Sequence, residues 1–441
     1  MRTPQAPAAA LLALLTLAAC EEPEGILPGP REAVGDGAGG GAVLAAAADD
    51  VRGPAPIALP PAQRLAAWPL RVGNAANDPP HATLRAAPQR VWSADVGQGD
   101  RRRLRITADP VSDGARVFTL DSATRVTATT TGGATAWSRS LVPAWDRAGD
   151  AAGGGLAVAG GTVFASTGYG ELHALDAATG ATRWTQRLDA AVTAPKAVDG
   201  VVYVVSRDNR AWAIEADTGR VRWEAQAAPG AAVVATAPAP AVAGRLAIFP
   251  FGSGEVVATL RDSGLQVWSA GIVGSRRGVA YANVGDITGD PVVSDGRVHF
   301  GTTSGRTVAV DARDGQRDWT LDEGMVSPPV VVAGALFAVT DRAQLIRVDA
   351  ATGAIVWRAD LPFHRNRRPA RREGVVVHHG PVLAGGRLWI ASSDGALRGF
   401  DPASGALGAQ LPLPGGAASR PIAFGDALYV VGRDGELHAF R

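Results

Sequence analysis

The sequence predicts an all-β protein, an eight-bladed β-propeller built of four-stranded antiparallel blades. Three observations predict this fold: a hairpin unit that recurs from about residue 90 onward, tryptophans that recur at intervals of 38–51 residues, and 55 glycines among short β-rich runs. A period of about 40–50 residues with several strands per repeat is typical of a propeller. Long apolar patterns with a 3.6-residue period, which would indicate helices, are absent from the sequence.

The clearest copy of the unit is residues 161–184, GTVFASTGYGELHALDAATGATRW. We interpret it as three short strands joined by two turns, the first of which contains glycine. In the second turn, the carboxylate of Asp176 can accept hydrogen bonds from backbone amides, and Gly180 can take a left-handed conformation. Trp184 follows as a large apolar anchor. One such unit cannot bury its own faces, so it must pack against its copies.

A glycine followed four residues later by a tryptophan recurs along the chain, preceded by an acid except in the two weaker copies, which have Thr129 and Leu260 at the acid position. The tryptophans of these units are Trp137, Trp184, Trp223, Trp268, Trp319 and Trp357. The unit with Asp401 and Gly405 keeps the turn but has Ala409 where a tryptophan is expected. Seven units begin near residues 114, 161, 200, 244, 296, 334 and 386.

The two ends of the repeat array predict how the ring closes. The last repeat stops at Arg441 without a fourth strand, whereas Trp92 is a spare outer-strand tryptophan at the other end. We predict that the strand containing Trp92 completes this eighth blade, because closure leaves no open sheet edge. Residues 88–441 then give about 44 residues per blade, within the propeller range.

The chain is predicted to have three parts: a lipoprotein-type signal peptide at 1–19, a lipidated Gly/Ala/Pro-rich tether at 20–88, and the propeller at 89–441. The apolar run Ala8–Ala19 is too short to span a bilayer, and it ends in a lipobox-like sequence at Cys20. The alternative is an ordinary signal peptide with a chance cysteine. Within the tether, Trp68–His81 is predicted to pack on the propeller, with an unstructured linker as the alternative.

Charge and residue types exclude several functions. The formal net charge is +1 with the signal peptide and 0 without it, so no overall positive field would attract nucleic acid. The single cysteine excludes an internal disulfide. His173 and His438 occupy one repeat position, which favours a framework role, while His378 and His379 would point to opposite faces of a strand. We therefore predict no metal site, no cofactor and no catalytic residues.

The repeats resemble pyrroloquinoline-quinone-type propeller repeats, and with the lipobox, the tether and eight blades the chain resembles the BamB family. The resemblance implies a non-catalytic scaffold lipoprotein of the outer-membrane β-barrel assembly machinery. It would be lipid-anchored at the periplasmic face of the outer membrane, as a monomer within a larger complex. It would bind the periplasmic domains of the central barrel protein and support insertion of outer-membrane proteins.

Two alternatives remain open. One is a quinone-dependent periplasmic dehydrogenase, although the adjacent cysteine pair expected of such enzymes is impossible with one cysteine. The other is a propeller that binds or senses a periplasmic ligand. The propeller repeat is shared by all three classes and indicates fold more than function.

The resemblance also implies a partner site. In the BamB family it lies on the two outer-to-inner connections that lead into the fourth and fifth blades, here about 224–237 and 269–290. Asp286 matches an acid of the family's loop, and Thr288 stands where the family has a second acid. The remaining candidates are Ala232 and Val233, opposite a Leu-x-Leu-Arg segment, and Arg276 or Arg277, assigned a basic role by proximity. The alternative for Asp286 is a turn cap.

Two basic clusters, at residues 101–105 and 364–372, are assigned no role. They are either solvated loop charges or a surface that docks on acidic protein or on lipid headgroups.

Overall fold

A computed structural model describes residues 51, 53–227, 238–272, 287–366, 368 and 374–441. All regular elements in these ranges are β-strands. No helix in the described ranges is long and apolar enough to cross a membrane. In chain order the strands are β1 (Arg90–Asp95), β2 (Val111–Ser112), β3 (Arg116–Leu120), β4 (Arg125–Thr130), β5 (Thr135–Ser140), β6 (Gly154–Ala159), β7 (Thr162–Thr167), β8 (Glu171–Asp176), β9 (Thr182–Arg187), β10 (Lys196–Val198), β11 (Val201–Val205), β12 (Arg210–Glu215), β13 (Val221–Gln226), β14 (Ala241–Ala243), β15 (Leu246–Pro250), β16 (Glu255–Leu260), β17 (Gln266–Gly271), β18 (Val292–Ser294), β19 (Arg297–Thr302), β20 (Arg306–Asp311), β21 (Arg317–Leu321), β22 (Val330–Val332), β23 (Ala335–Val339), β24 (Gln344–Asp349), β25 (Ile355–Asp360), β26 (His378–Ala384), β27 (Arg387–Ser392), β28 (Ala396–Phe400), β29 (Leu407–Pro412), β30 (Ile422–Phe424), β31 (Ala427–Val431) and β32 (Glu436–Phe440).

The strands form eight four-stranded antiparallel sheets arranged as the blades of a propeller. Blades 1 to 7 follow the chain, from β2–β5 to β26–β29, and blade 8 has the order β1-β32-β31-β30. The predicted fold class is therefore confirmed, including closure of the last blade by the N-terminal strand. At this seam Trp92 faces Ala439, and the backbones of Gln89 and Arg441 exchange hydrogen bonds of 3.0 and 2.9 Å.

The core consists of apolar layers between neighbouring blades. The middle strands of each blade are almost fully buried, as in β7 and β11, whereas the outer strands alternate between exposed and half-buried positions. One apolar cluster joins blades 1 and 2, and another joins blades 2 and 3. Each blade covers the face that its neighbour cannot bury alone, which is why the repeat is stable only in an array.

The outer-strand tryptophans link seven of the eight blades to the next blade, and blade 7 has Ala409 at this position. Each indole Nε1 donates a hydrogen bond to a backbone carbonyl in the turn between the third and fourth strands of the following blade. The bonds, of 2.8–3.2 Å, join Trp92 to Thr131, Trp137 to Ala177, Trp184 to Ala216, Trp223 to Arg261, Trp268 to Ala312, Trp319 to Ala350 and Trp357 to Pro402.

The segment from Gln63 to Leu84 lies across one end of the ring. Trp68 is buried and pairs with Ser112, Leu70 pairs with Ala157, and Ala82 pairs with Ala384. The predicted packing of Trp68–His81 on the propeller is confirmed. An unstructured linker is excluded for these residues, because their backbone hydrogen bonds are made to the inner strands.

Candidate partner-binding face and central channel

The propeller has two unlike faces. The hairpin face, as we call it, carries the hairpins between second and third strands and the connections from each outer strand to the next inner strand. Bridges such as Val192 to Ser206 and Ile287 to Thr302 place a connection beside a hairpin and confirm that they share a face. The turn face carries the turns between third and fourth strands, and the N-terminal segment covers it.

Most of the predicted partner-binding residues lie outside the described residues. These are Ala232, Val233, Arg276, Arg277 and Asp286, and the same holds for the predicted lipidation site at Cys20. Their roles therefore stay predictions. The described ends of the two connections nevertheless show how this part of the hairpin face is held.

Thr288 is the one predicted partner-binding residue that the structure describes, and it is buried. Only 5% of its surface is exposed, and its hydroxyl donates a hydrogen bond of 2.6 Å to the carbonyl of Met325. Its backbone N–H donates to the carbonyl of Gly301. Thr288 thus fastens the end of the connection to blade 5, and its hydroxyl is already engaged within the chain.

Asp290 ties the two predicted connections together. Its side chain is fully buried, and one carboxylate oxygen accepts a hydrogen bond of 2.7 Å from the backbone N–H of Ala239, at the end of the other connection. The other oxygen lies 3.3 Å from Nε of Arg71. Burial raises the pKa of Asp290, while the charges of Arg71 and Arg420 oppose the rise.

Arg71 and Asp109 extend this polar centre across the ring. Nε of Arg71 donates to a carboxylate oxygen of Asp109 at 3.0 Å, and the other oxygen accepts the backbone N–H of Arg420 at 2.8 Å. Arg71 comes from the N-terminal segment, Asp109 precedes blade 1, and Arg420 precedes blade 8. Buried charges require partners of this kind, so the cluster fixes the relative position of distant parts of the chain.

Asn77 and Lys196 occupy the opposite part of the centre. The side-chain amide of Asn77 donates to the carbonyls of Pro240 and Pro291 at 3.2 and 2.8 Å, and its oxygen accepts a hydrogen bond from Nζ of Lys196. Lys196 is the only lysine in the sequence. Burial lowers its pKa from an ordinary 10.5 to about 7, opposed by the charge of Asp290.

Sequence reasoning missed this central cluster. The one available signal was Asp290, an acid directly before Pro291 at the start of an inner strand, where a turn-forming role does not apply. The partners of Asp290 could not be found from spacing, because Arg71 and Asp109 are distant in sequence from it.

A cavity of about 500 Å³ opens on the hairpin face beside this centre. Arg71, Asp109 and Arg420 line its polar part, and the exposed side chains of Phe363 and Val377 contribute to its apolar wall. Its size lies within the usual range of small-molecule sites. His378 and His379 also line the cavity. The ring nitrogens of His378 lie 2.8 Å from the hydroxyl of Ser392 and 2.9 Å from the carbonyl of Pro362, and burial lowers the pKa of His379 to about 4.

The basic cluster at 101–105 is only partly solvated. Arg105 forms an ion pair of 3.1 Å with Asp100, which also pairs with Arg433 of blade 8. The side chains of Arg101–Arg103 are exposed. Of the second cluster, at 364–372, the structure describes only part, including the bridge between His364 and Val375.

A protein-family model matches most of this chain. The family model described as outer membrane protein assembly factor BamB matches residues 122–359 and 350–441. Two proteins of this name are among the relatives. The protein from Yersinia pestis is 26% identical over 364 residues, which cover 80% of this chain and 89% of the relative. The protein from Salmonella typhimurium is 28% identical over 366 residues, which cover 82% and 90%.

Solved structures share the fold. BamB from Moraxella catarrhalis superimposes with a TM-score of 0.65 at 17% identity, covering 80% of this chain and all of that one. A europium-containing methanol dehydrogenase gives a TM-score of 0.64 at 15% identity, covering 85% of this chain and 98% of that one. At these identities the likeness shows the fold alone, so the family assignment rests on the sequence match, which covers more than half of the chain. The chain belongs to the family of the outer membrane protein assembly factor BamB.

Proposed function

We propose that this chain is an outer-membrane protein assembly factor. It acts as a non-catalytic scaffold that binds the periplasmic domains of the central barrel protein and supports insertion of outer-membrane proteins. The observation that carries the proposal is the family match over residues 122–359 and 350–441, with relatives that bear this name along about four-fifths of the chain.

The geometry supports a partner site on the hairpin face, at the connections from Gln226 to Ala241 and from Gly271 to Val292. Asp290 belongs to one connection and bonds Ala239 at the end of the other, so the described ends of the two connections are adjacent. Both are held by a ring of hydrogen-bonded blades. Loops on a rigid scaffold suit binding, because little conformational entropy of the scaffold is lost on association.

A pair of charge reversals tests this face. Asp286→Arg should weaken capture of the barrel protein's periplasmic domains about 30-fold, the equivalent of about 2 kcal/mol for an interface hot spot. The matched control is Asp217→Arg, an exposed acid on the turn face of blade 3. Asp217 is preferable to Asp176, whose carboxylate accepts two backbone amides of its turn. Thermal melts establish that both variants fold. If Asp286→Arg captures the partner normally and Asp217→Arg does not, the proposed site on the hairpin face is wrong and the turn face binds the partner.

We propose in addition that residues 1–19 are removed, that Cys20 carries the lipid and that 20–88 tether the propeller of 89–441 to the periplasmic face of the outer membrane. Two acyl chains and an N-acyl group hold a protein far more firmly than one chain. Cys20→Ser should leave a soluble protein or an uncleaved precursor. Fractionation of membranes measures this, and a serine variant that stays in the outer-membrane fraction would contradict the proposal.

The cavity beside Arg420 supports a second candidate, a propeller that binds or senses a periplasmic ligand. Native mass spectrometry of gently extracted protein would reveal a bound small molecule, and Phe363→Asp should release it. A bound quinone with calcium would instead identify a quinone-dependent dehydrogenase. Protein without either ligand, co-purifying with the barrel protein, leaves the scaffold function as the better account.

A further inference from the structure

Blade 8 places three potential metal ligands close together, two on its third strand and one in the turn before it. Asp434, Glu436 and His438 alternate with Gly435 and Leu437 along the hairpin and β32. Because successive strand residues point to opposite faces, Glu436 and His438 project from the same side of β32, whereas Asp434 lies in the turn before the strand. One ligand atom from each of the three side chains lies within 4.8 Å of the others.

The imidazole of His438 lacks a partner. The side chain is 0% exposed, and neither Nδ1 nor Nε2 makes a hydrogen bond with any described residue. The backbone carbonyl of Pro414 faces the ring and opposes the lowering of the pKa of His438, but neither ring nitrogen meets the distance and angle of a hydrogen bond. A buried polar group without a hydrogen-bond partner destabilises the folded protein, so an ion bound by the ring would offset this free-energy cost. Burial also lowers the pKa of His438, which favours the neutral imidazole that metals bind.

Blade 2 contains the same Glu-Leu-His-Ala sequence in a different setting. There Nε2 of His173 lies 3.2 Å from a carboxylate oxygen of Glu171, and Nδ1 lies 3.1 Å from the hydroxyl of Thr185. Tyr169 occupies the position that corresponds to Asp434. Nε2 of His173 makes no hydrogen bond, so blade 2 has two potential ligands and a histidine bonded through one nitrogen, whereas blade 8 has three potential ligands and a histidine bonded through neither nitrogen. The repeat framework alone does not explain this difference.

Gly432 provides the space in which these groups approach. A Cβ at this position would lie 2.3 Å from a carboxylate oxygen of Asp434 and 3.0 Å from Nε2 of His438. Its φ lies outside the left-handed region that favours glycine. Glycine at position 432 is therefore explained by the close approach of Asp434 and His438, and the backbone conformation does not require it.

We propose that Asp434, Glu436 and His438 bind one divalent transition-metal ion, with Zn²⁺ as the best fit to one imidazole and two carboxylates. Tetrahedral ligands at about 2.1 Å from zinc lie about 3.4 Å apart, so ligand atoms that are separated by up to 4.8 Å must move closer together. The exposed side chain of Asp434 can make this movement, and it leaves an entry path from solvent. Water completes the coordination. Since β32 pairs with β1, the ion would stabilise the blade that closes the ring.

Zinc binding to the untagged, chelator-treated full chain tests the proposal, measured by competition with a chromophoric chelator and by thermal melts. We expect one Zn²⁺ per chain and a rise in Tm with zinc. Asp434→Asn, His438→Gln and Gly432→Ala should each weaken binding at least about tenfold. His173→Gln in blade 2 is the matched control and should bind zinc like the parent. Magnesium should bind far more weakly, because it prefers oxygen ligands.

Three results would overturn the site: no zinc binding by the parent, unchanged binding by His438→Gln, or equal losses in His438→Gln and His173→Gln. If His438→Gln does not fold, Gly432→Ala decides the question. This substitution removes no ligand. Its methyl group would displace only the carboxylate of Asp434 and the edge of the His438 imidazole. Parent-like zinc affinity in a folded Gly432→Ala protein would also contradict the proposal.

Discussion

Nε1 of Trp92, in the strand that closes the ring, donates a hydrogen bond of 3.2 Å to the carbonyl of Thr131 in blade 1. A Cβ on Gly133, two residues further, would lie 3.0 Å from the indole ring. The tryptophan of blade 8 thus docks on the turn of blade 1 as every other outer-strand tryptophan docks on its neighbour. The ring is joined through the side chains of the seam as well as through its backbone.

The same relationship explains the missing tryptophan of blade 7. A tryptophan at Ala409 would dock on a turn between the third and fourth strands of blade 8. Those strands, β32 and β1, are not consecutive in the sequence, so no turn joins them. The backbones of Arg441 and Gln89 are connected there only by hydrogen bonds. Blade 7 instead carries Trp389 in its second strand, packed over Gly399.

Trp92→Ala should lower the free energy of unfolding by about 2–4 kcal/mol, somewhat less than for a fully buried tryptophan because Trp92 is half-buried. Denaturant unfolding measures the change. The control is Trp145→Ala, whose side chain is 64% exposed and should change stability by no more than about 0.5 kcal/mol. Equal effects of the two variants would disprove the role of Trp92 in closure.

Gly353→Ala should be more destabilising than Gly200→Ala, although both glycines have φ of +76°. The backbone strain is shared by the two variants. Only at Gly353 would the new Cβ meet a neighbour, the ring of Trp319 at 2.8 Å; nothing lies within 4 Å at Gly200. We expect a difference of about 1–3 kcal/mol in unfolding free energy, typical of overpacking. Similar losses would mean that the turn glycines serve conformation alone.

Asn77→Gly should destabilise the protein by about 2–4 kcal/mol, because the carbonyls of Pro240 and Pro291 and the ammonium of Lys196 lose a buried partner. Glycine tolerates the left-handed φ of 61° found at Asn77. Asn74→Gly is the control, since the side chain of Asn74 bonds only the backbone of Asp78. Chemical denaturation of both variants checks the prediction, which fails if Asn74→Gly is the more damaging change.

Stability should depend on pH through Lys196. Its pKa is lowered to about 7 in the folded protein, so between about pH 7 and 10.5 the unfolded chain binds more protons than the folded one. The free energy of unfolding therefore rises with pH across this window, by at most about 1.4 kcal/mol per pH unit for one proton. Lys196→Met should remove this slope.

Because Lys196 is the only lysine, NMR of lysine labelled with ¹³C at Cε reports its titration in one signal. A midpoint near 10.5 in the folded protein would contradict the lowered pKa.

The candidate site was predictable only where the chain repeats or resembles a family. The connections to blades 4 and 5 could be located from the positions of Trp223, Trp268 and Pro291. The burial of Thr288 could not, because the carbonyl of Met325 that its hydroxyl bonds belongs to a different blade connection. The unbonded imidazole of His438 also escaped prediction, since its local sequence is the same as that around His173, whose Nδ1 is bonded to Thr185.

The sequence by itself determined the blade. Alternating strands, turn acids and left-handed glycines such as Gly180 act over a few residues, so local chemistry specifies each hairpin and its period gives the number of blades. Tertiary structure decided what those residues touch. Gly353 meets Trp319 of the preceding blade, and Asp290 meets Arg71 and Ala239 at the centre of the ring. Such contacts join residues far apart in the chain, and only closure of the whole ring brings them within bonding distance.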